Sequence, residues 1–402
     1  MTRMKSSLWW GSERDTLRRV LADQLFAELE RLRIRNPGIL PPWMWTGETT
    51  LDEFGPAAID SLDMLSMTSA VVELLPDVTI TGLMQAKHLD EWCSIIVENI
   101  YNPPREIIFR SSGSTGVPKR ATHTLDHLKE EASVFATLIG AGRHRVMSAI
   151  PAHHVYGFIH SVLLPQSLGH LPVIDLRGNA PANLGTMLQP GDLVLGHPVF
   201  WDAVLRGING FFPIDVIGIT SGAPCSAETA LGLGERGLAR LLQVYGSSET
   251  TGVGWRDDPH GAYNLLPAWR HEGDGIAKDQ LTFPIPDFLS WEGDRQFHLL
   301  GRKDGAVQIG GVNVLVEDIC RALVQHPSVA DIAVRPMRPD EGTRLKAFIV
   351  PADMSLDLDE LQADLRRFAS TILNPAERPA VYTFGPSLPR SDQNKLVDWF
   401  VQ

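Results

Sequence analysis

Apolar residues recur at helical spacing through the first hundred residues of the chain. Segment 12–34 places them three or four positions apart, at Leu17, Val20, Leu21, Leu25, Phe26, Leu29 and Leu32. This period predicts one long amphipathic helix. A second helix is predicted over 59–75, where Asp60 or Ser61 can cap the amino terminus and Asp63 suits the first turn.

The middle of the chain, from Pro103 to about Leu300, alternates short apolar runs with helical patterns. The runs are EIIFR, RVMSAIP, LPVID, DLVLG, DVIGITSG and RLLQVYG, and glycine-containing loops follow many of them. Buried strands that alternate with helices predict an α/β fold in which the loops at strand ends carry the function.

The last hundred residues predict a smaller α/β unit. AVQIGGVNVL is typical of a hairpin, VEDICRALVQH of a helix that ends before Pro327, VADIAVRP and RLKAFIVP of strands, and LDELQADLRRFASTIL of an amphipathic helix. The expected domains are a helical segment over 1–100, a large α/β domain over 101–300 and a small C-terminal domain over 301–402.

Composition and charge exclude several classes of protein. The 402 residues are 44% hydrophobic and 21% charged, and the formal net charge of −12 disfavours nucleic acid and anionic membranes as partners. Cys93, Cys225 and Cys320 lie far apart without metal-ligand spacing. No apolar run approaches the roughly 20 residues that cross a bilayer, so no membrane insertion is expected. The amino terminus lacks the apolar core of a signal peptide, and the expected location is cytoplasmic.

A run of small polar residues, SSGSTG, follows the first predicted strand of the α/β region. Consecutive backbone N–H groups in such a loop can bind phosphate. The P-loop signature is absent, however, because Lys119 follows Pro118 and not glycine. Taken alone, the run is equally typical of a flexible connector.

Several segments, in a fixed order, resemble the adenylate-forming superfamily of acyl-CoA synthetases, aryl-CoA ligases, adenylation domains and luciferases. SSGSTGVPK is similar to the family's phosphate-binding signature, PAHHVYGF to the segment that lines its acid pocket, and SGAPCS to the loop along the adenine. QVYGSSETTG is similar to the family's aromatic-Gly-x-Thr-Glu element, with Ser248 in place of the usual threonine.

The resemblance continues to the end of the chain. Asp287 precedes Arg302 by fifteen positions, as the family's ribose-binding aspartate precedes the arginine that opens the hinge. Asp304 falls at the hinge position and Lys395 at that of the catalytic lysine, although Asn394 replaces the usual glycine. The resemblance implies the ligase fold with a shortened large domain and a small mobile C-terminal domain.

The resemblance also implies ATP and Mg²⁺ as cofactors and assigns residues to the site. The catalytic residues would be Lys395, His154 and Glu249, with Glu249 as the Mg²⁺ ligand. The acid pocket would include His154, Tyr156, Ser221 and Gly246, and the hinge and thiol tunnel Asp304, Gly310 and Gly311. The implied ATP-binding residues are Ser111, Ser112, Gly113, Ser114, Thr115, Gly116, Lys119, Ser221, Gly222, Ala223, Pro224, Tyr245, Gly246, Ser247, Ser248, Asp287 and Arg302.

Structural alternatives exist for several of these residues. Tyr245 can pack in the core instead of against adenine, Lys119 and Lys395 can be surface lysines, and Asp287 can be a turn residue. His153, His154 and His160 are close in sequence, but no carboxylate or cysteine accompanies them, which disfavours a metal site there.

The N-terminal segment resembles an acyl carrier protein. TTLDEFGPAAIDSLDMLSMTSAVVELL is similar to the carrier's loop, Asp-Ser-Leu motif and recognition helix, and AKHLDEWCSIIVENI to its last helix. The resemblance implies that Ser61 carries phosphopantetheine. The alternative is that the segment replaces a missing subdomain of the ligase and that Ser61 only caps a helix.

The expected function is ATP-dependent ligation of a small carboxylic acid to the thiol of CoA or of an acyl carrier protein. The compact size is similar to that of ligases that prime aryl polyene and xanthomonadin-type pigments, so an aromatic acid such as a hydroxybenzoate is expected. The alternatives are a fatty acid or an amino acid as substrate, an amine as acceptor, or a non-catalytic binding protein with this fold.

Overall fold

A computed structural model describes residues 10, 14–32, 40–50, 59–75, 80–99, 105–111, 119–273, 275–303, 305–310, 312–338, 340–390 and 396–400. The chain divides into two compact units. The first contains Met1–Ser111, Pro118–Pro284 and Trp291–His298, and the second contains Ile285–Ser290 and Leu299–Gln402. The N-terminal segment therefore shares a unit with the α/β region, and the three-domain division stays a prediction.

The N-terminal segment forms the helices α1 (Arg14–Leu32), α2 (Ser61–Leu74), α3 (Ile80–Leu83) and α4 (Leu89–Asn99), with a 3₁₀ turn at Pro42–Met44. The predicted stripe of α1 is confirmed, because it packs against α2 and α4 and buries Leu17, Val20, Leu21, Leu25 and Leu29. Leu32 also lies in the predicted helix, but it is 37% exposed because it is the last residue of α1.

Asp60 is the N-cap of α2. Its Oδ1 atom accepts hydrogen bonds from the backbone N–H groups of Leu62 and Asp63, both at 2.8 Å. The Asp63 side chain accepts in return from the backbone N–H of Asp60, which completes a capping box. Ser61 is the exposed first residue of the helix, so the alternative that Ser61 is the cap is wrong.

The glycine-rich run lies between two strands. β1 (Glu106–Ser111) and β2 (Lys119–Thr124) form an antiparallel hairpin in which Ser111 pairs with Lys119. The predicted strand before the run is confirmed. α5 (Leu125–Ile139) follows directly, and the Thr124 side chain caps its amino terminus.

The parallel half of the central sheet consists of β3 (Val146–Ser148), β4 (Val173–Asp175), β5 (Leu193–Gly196), β6 (Ile217–Thr220) and β7 (Arg240–Ser247). These strands confirm the predicted apolar runs, and they lie in the order β4-β3-β5-β6-β7. The connections contain α6 (Val155–Phe158), a π-helical turn (Ile159–Leu163), α7 (Leu164–Ser167), α8 (Leu184–Met187), α9 (Pro198–Gly207) and α10 (Ala227–Glu235). Trp201 and Val204 of α9 and Leu233 of α10 are fully buried against one face of this sheet.

The other half of the sheet is antiparallel. It contains β8 (Thr251–Arg256) and β9 (Tyr263–Leu265), while β10 (Arg270–Glu272), β11 (Gly275–Lys278) and β12 (Leu281–Phe283) form a separate meander. β13 (Asp287–Glu292) and β14 (Gln296–Arg302) complete the order β7-β8-β9-β14-β13. The sequence analysis predicts none of these strands, because most are short and many of their residues are exposed.

The second unit confirms the predicted small α/β fold. β15 (Val307–Ile309) and β16 (Val312–Val314) form the hairpin, and α11 (Val316–Leu323) follows. β17 (Val329–Pro336) pairs antiparallel with β18 (Leu345–Pro351), α12 (Leu358–Ile372) comes next, and β19 (Val381–Phe384) runs parallel to β18. Within the described ranges, every helix is too short or too polar to span a bilayer.

Candidate active site

Three of the predicted site segments meet at one edge of the parallel sheet. They follow the carboxyl ends of β3, β6 and β7, and the strands are parallel neighbours around β5. β4 and β5 lie on opposite sides of β3, so the chain changes its winding direction between β3 and β5. Ligands of open α/β sheets bind in the crevice at such a switch point, and this edge is therefore the candidate active site.

Tyr156 lies at this switch point. Its hydroxyl is 3.0 Å from the carbonyl oxygen of Gly196, at the end of β5, and 3.1 Å from that of Ile219 in β6. The single hydroxyl proton serves one carbonyl at a time, and the oxygen keeps its lone pairs as acceptors. His154 is the exposed N-cap residue of α6, and its ring centroid lies 4.0 Å from that of His153.

His160 continues this segment into the protein interior. Its Nδ1 atom lies 3.0 Å from the Tyr156 carbonyl oxygen, and its ring centroid is 4.7 Å from that of Phe135 on α5. Burial lowers the pKa of His160 to about 4, so the ring is neutral near pH 7. Among the described residues, no group of three His, Cys, Asp or Glu side chains is placed to hold a metal ion.

The loop after β6 is tied to β7. The Ser221 hydroxyl is buried and donates to the Val244 carbonyl oxygen at 2.9 Å. Gly222 follows with φ of +85°, a backbone conformation that favours glycine. The hydroxyl of Ser221 thus holds the strand-end loop, while the predicted contacts of Ser221, Gly222, Ala223 and Pro224 with nucleotide stay predictions.

A tight turn between β7 and β8 carries Glu249. Ser247 and Thr250 close this turn, since Ser247 N–H donates to Thr250 Oγ1 at 3.1 Å and Thr250 N–H donates to Ser247 Oγ at 3.2 Å. A Cβ atom on Gly246 would lie 1.9 Å from the Thr251 carbonyl oxygen, so only glycine fits there. The Glu249 carboxylate is exposed at the tip of this turn and is therefore accessible to a cation.

Tyr245 packs within the first unit. Its ring contacts Tyr263 and Phe297 edge-on, with centroid distances of 6.0 and 5.6 Å. The side chain is half-buried, so core packing accounts for one part of its surface and leaves another part accessible. The core alternative for Tyr245 therefore has structural support, and its contact with adenine stays a prediction.

The hairpin that carries the glycine-rich run is attached to the Glu249 turn. His123 on β2 donates from Nε2 to the Ser248 carbonyl oxygen at 2.6 Å. Burial lowers the pKa of His123, which keeps the ring neutral and the bond a neutral one. Backbone pairing places Ser111 and Lys119 at the open end of the hairpin. The predicted phosphate contacts of Ser112, Gly113, Ser114, Thr115 and Gly116 lie outside the described residues.

Glu131 supports the same turn from inside the protein. Both of its carboxyl oxygens lie within hydrogen-bond distance of the Gly252 N–H, at 3.1 and 3.0 Å. A Cβ atom on Gly252 would lie 2.4 Å from Glu131 Oε1, so this contact requires glycine in β8. Gly252 is three residues after Glu249, and α5 therefore positions the turn through a buried carboxyl group.

Replacing Glu131 with glutamine is expected to change how stability depends on pH. Burial raises the pKa of the Glu131 carboxyl above its ordinary value of 4.5, so the folded state binds this proton more tightly than the unfolded state. The stability that the group contributes is complete below pH 4.5 and is lost as the pH rises through the raised pKa. Urea denaturation should show the wild type losing stability relative to Glu131→Gln as the pH rises above 4.5.

Glu130→Gln is the matched control for this measurement. Glu130 is the neighbouring residue on α5, its side chain is 53% exposed, and it lies 3.6 Å from Lys278 Nζ. Its replacement should leave the pH dependence parallel to that of the wild type. A pH-independent difference between the wild type and Glu131→Gln would contradict a buried titrating carboxyl.

The N-terminal helices hold the hairpin by ion pairs. Arg110 on β1 contacts Glu28 of α1 at 2.9 Å and also pairs with Glu73 of α2. Arg120 on β2 pairs with the same Glu73 carboxylate. α1 and α2 therefore fix both strands that flank the predicted phosphate loop.

Helix α1 also holds the segment after β3. Asp23 of α1 is 1% exposed and accepts hydrogen bonds from the Ala152 N–H and from Arg177 Nη1, both at 2.6 Å. Arg19 donates to the Ser161 hydroxyl at 2.8 Å and to its carbonyl oxygen at 2.5 Å. These buried contacts make the N-terminal segment an integral part of the first unit.

The second unit brings Asp287 and Arg302 together. Asp287 begins β13 and Arg302 ends the neighbouring strand β14. The residues next to them are hydrogen-bonded, since the Lys303 N–H donates to the Pro286 carbonyl oxygen at 2.8 Å. Gly310 forms the turn after β15 with φ of +59°. Asp304, Gly311 and Lys395 lie outside the described residues.

Sequence reasoning missed the buried polar residues that support the site. His123, Glu131 and Asp23 carry no recognised motif. The available signal is that Asp23 and Glu131 occur at helical spacing among buried apolar residues, as Glu131 does between Leu128 and Phe135. A charged residue in such a stripe indicates a specific buried partner.

Parts of the chain match known proteins. Residues 104–269 match the family model described as AMP-binding enzyme, and residues 319–395 match the AMP-binding enzyme C-terminal domain. A 4-coumarate–CoA ligase of Rhodobacter capsulatus is 35% identical over 397 residues, which cover 95% of this chain and 100% of that protein. A 4-coumarate–CoA ligase of Cereibacter sphaeroides is 35% identical over 349 residues, which cover 85% of this chain and 83% of that protein.

A solved structure has the same fold. The amide bond synthetase of Marinactinospora thermotolerans superposes with a TM-score of 0.60 over 94% of this chain and 92% of that chain. The sequence identity is 16%, so this likeness concerns the fold alone.

Proposed function

The chain belongs to the adenylate-forming family of AMP-binding enzymes, and we therefore propose that it joins a carboxylic acid to the thiol of coenzyme A at the expense of ATP. In the first step a carboxylate oxygen attacks the α-phosphorus of ATP, which gives an acyl adenylate and pyrophosphate. In the second step the thiol sulfur attacks the acyl carbon, AMP leaves, and the thiol proton is lost. The observation that carries the proposal is the meeting of three predicted motif segments at the sheet's switch point.

The geometry supports roles for residues of the first unit. The hairpin β1–β2 and the Glu249 turn are joined by His123, so one local framework holds the two strands that flank the predicted phosphate loop and the turn that carries the carboxylate. Tyr156 presents a hydroxyl where β5 and β6 end, and we assign it to the acid pocket together with His154. Positioning and charge stabilisation are what phosphoryl-group chemistry requires from the protein.

Glu249 fits a divalent cation because it offers an exposed hard oxygen ligand on a turn of defined backbone geometry. Mg²⁺ bound there would neutralise negative charge on the phosphates of ATP.

Residues of the second unit complete the proposal. Asp287 and Arg302 lie side by side, which suits hydrogen bonding to the two ribose hydroxyls. Lys395 would stabilise the charge that develops during adenylation. Rotation about Asp304 would then withdraw Lys395 and present the Gly310–Gly311 turn to the thiol.

We propose an aromatic acid as the substrate. The relatives that are 35% identical are named for 4-coumarate, a hydroxyaryl acid, and this supports an aromatic pocket more directly than the compact size of the chain does. Hydroxybenzoates, as used in pigment synthesis, remain the second aromatic class to test.

An acid panel tests this function. Pyrophosphate release should be followed with ATP, Mg²⁺ and CoA for 4-coumarate, cinnamate, 4-hydroxybenzoate, medium-chain fatty acids and amino acids. We expect the hydroxyaryl acids to give the highest kcat/KM. Preference for a fatty acid would overturn the aromatic assignment, and absence of pyrophosphate release with every acid would favour a non-catalytic binding protein.

CoA is the proposed acceptor, and a carrier protein is the alternative. AMP release that requires CoA supports thioester formation, whereas AMP release that requires an added amine would support amide formation. The Rhodobacter protein is named as a CoA ligase, and its match spans 95% of this chain. The match therefore includes most of this chain's N-terminal segment.

Ser61 provides a separate test of the carrier alternative. The residue is exposed at the first position of α2, next to the exposed Leu62, so a modifying enzyme can reach it. The buried contacts of α1 favour a structural role for the segment, and we expect no mass increase after incubation with CoA and a phosphopantetheinyl transferase. Intact-mass spectrometry that shows a phosphopantetheine adduct, lost in Ser61→Ala, would instead establish a carrier function.

A further inference from the structure

Lys346, in β18, is a lysine whose side chain is completely buried. Its ammonium group lies 2.7 Å from Glu341 Oε2, 2.6 Å from the Trp399 carbonyl oxygen and 3.0 Å from Asp398 Oδ1. These acceptors match its three N–H donors. A buried ammonium without such partners would be strongly unfavourable. The three acceptors are therefore held in place around Lys346.

Two of the three acceptors belong to the chain segment that follows Lys395. On that segment, Leu396 forms an antiparallel bridge with Arg390, and the Val397 N–H donates to the Pro389 carbonyl oxygen at 2.9 Å. Arg335 of β17 donates to the Leu396 carbonyl oxygen at 2.8 Å. The backbone on both sides of 391–395 is therefore attached to the sheet of the second unit.

Arg338 strengthens the same attachment. Its guanidinium donates to Glu341 Oε1 at 2.7 Å, lies 3.5 Å from Asp398 Oδ2 and stands 4.2 Å from the centre of the Phe400 ring. Together with Lys346 it makes two cations facing two carboxylates. We call Lys346, Arg338, Glu341 and Asp398 the C-terminal clamp.

We propose that Lys346 is a positioning residue for the adenylation step. The C-terminal clamp fixes the backbone directly after Lys395 and thereby sets where the Lys395 ammonium can reach. This inference rests on the proposed role of Lys395 as the charge that stabilises adenylation. The Lys395 ammonium can stabilise the transition state only if it is positioned correctly, and a misplacement of about 1 Å can cost about 100-fold in rate.

Lys346→Met tests the inference, with Arg344→Met as the matched control. Methionine keeps most of the packing volume but removes the donors. Arg344 immediately precedes β18 and donates instead to the carbonyl oxygens of Pro375 and Arg378, at 2.8 and 3.2 Å. Adenylation is measured as pyrophosphate release without CoA in single turnover, and thioester formation is measured from supplied acyl-AMP and CoA.

We expect Lys346→Met to slow adenylation by about tenfold or more while thioester formation stays within about twofold. Arg344→Met should leave both steps within about twofold, as expected for a surface substitution. Equal slowing of the two steps by Lys346→Met, or no slowing of either, would overturn the inference. Asp398→Ala, which leaves Lys346 with the Glu341 and Trp399 acceptors only, should slow adenylation selectively and replaces Lys346→Met if that variant does not fold.

A double variant separates this inference from the proposed function. If Lys346 acts through Lys395, then Lys346→Met combined with Lys395→Ala should be no slower than Lys395→Ala alone. If the double variant is slowed by the product of the two single-variant factors, Lys346 acts independently of Lys395, and the inference is overturned. If Lys395→Ala alone leaves adenylation intact, the proposed role of Lys395 is what fails.

Discussion

Lys395→Ala is expected to slow acyl-adenylate formation by about 100- to 1,000-fold, the range measured when one preorganised charge-stabilising donor is removed from an active site. The reason is that negative charge accumulates on the acid and α-phosphate oxygens during adenylation, and a lysine ammonium delivered on a flexible stem neutralises it. Thioester formation from supplied acyl-AMP should remain largely intact, because no phosphoryl transfer occurs in that step. Single-turnover measurements of the two half-reactions give the comparison.

Two controls accompany this measurement. Lys87→Ala removes an exposed lysine of the N-terminal segment and should leave both half-reactions unchanged. Circular dichroism and melting should show that Lys395→Ala folds like the wild type. Equal loss in both half-reactions would contradict the assigned role, since it would indicate damage to the whole C-terminal unit.

Asp23→Ala is expected to lower the free energy of unfolding by about 3–5 kcal/mol, the cost of removing one partner from a buried ion pair. Asp23 is 1% exposed and bonds Arg177 Nη1 and the Ala152 N–H at 2.6 Å each. Its removal leaves the Ala152 donor buried without an acceptor and leaves Arg177 with Asp175 alone. Urea denaturation of the full-length protein measures the change.

Asp15→Ala is the matched control on the same helix. The Asp15 side chain is 88% exposed and pairs with Arg18 one turn away, so its loss should cost no more than about 1 kcal/mol. The comparison also tests how the N-terminal segment is used. Equal stability of the two variants would mean that α1 is not anchored to the α/β region, and a separable carrier module would then regain support.

Most secondary structure of the α/β region and of the small unit could be predicted from local pattern. The strands β3 to β7 coincide with apolar runs because parallel strands are covered on both faces. The antiparallel strands β8 to β14 were not predicted, since four of them, β9 to β12, are only three or four residues long and too short to show a period. Their identity depends on pairing with neighbours that are distant in sequence.

The candidate site could be predicted in part. The order of the motif segments indicated the family, and the sheet topology brings three of those segments to one edge. The supports of the site could not be predicted, because His123 and Glu131 act through backbone atoms of Ser248 and Gly252. Any residue type supplies such backbone atoms, so they leave no signature in the sequence.

The sequence by itself determined most of the helices, the strands β1 and β3 to β7 and the elements of the small unit. It also predicted which loops carry the chemistry of nucleotide and acid binding, because side-chain period and motif composition are local properties. Only the tertiary structure decided how the charged residues are used. Asp23 meets Ala152 across 129 positions and Arg177 across 154, and Lys346 meets Trp399 across 53. Burial and partner choice arise when distant segments pack together, so a lysine in a strand or an aspartate in a helix acquires its role only in the folded chain.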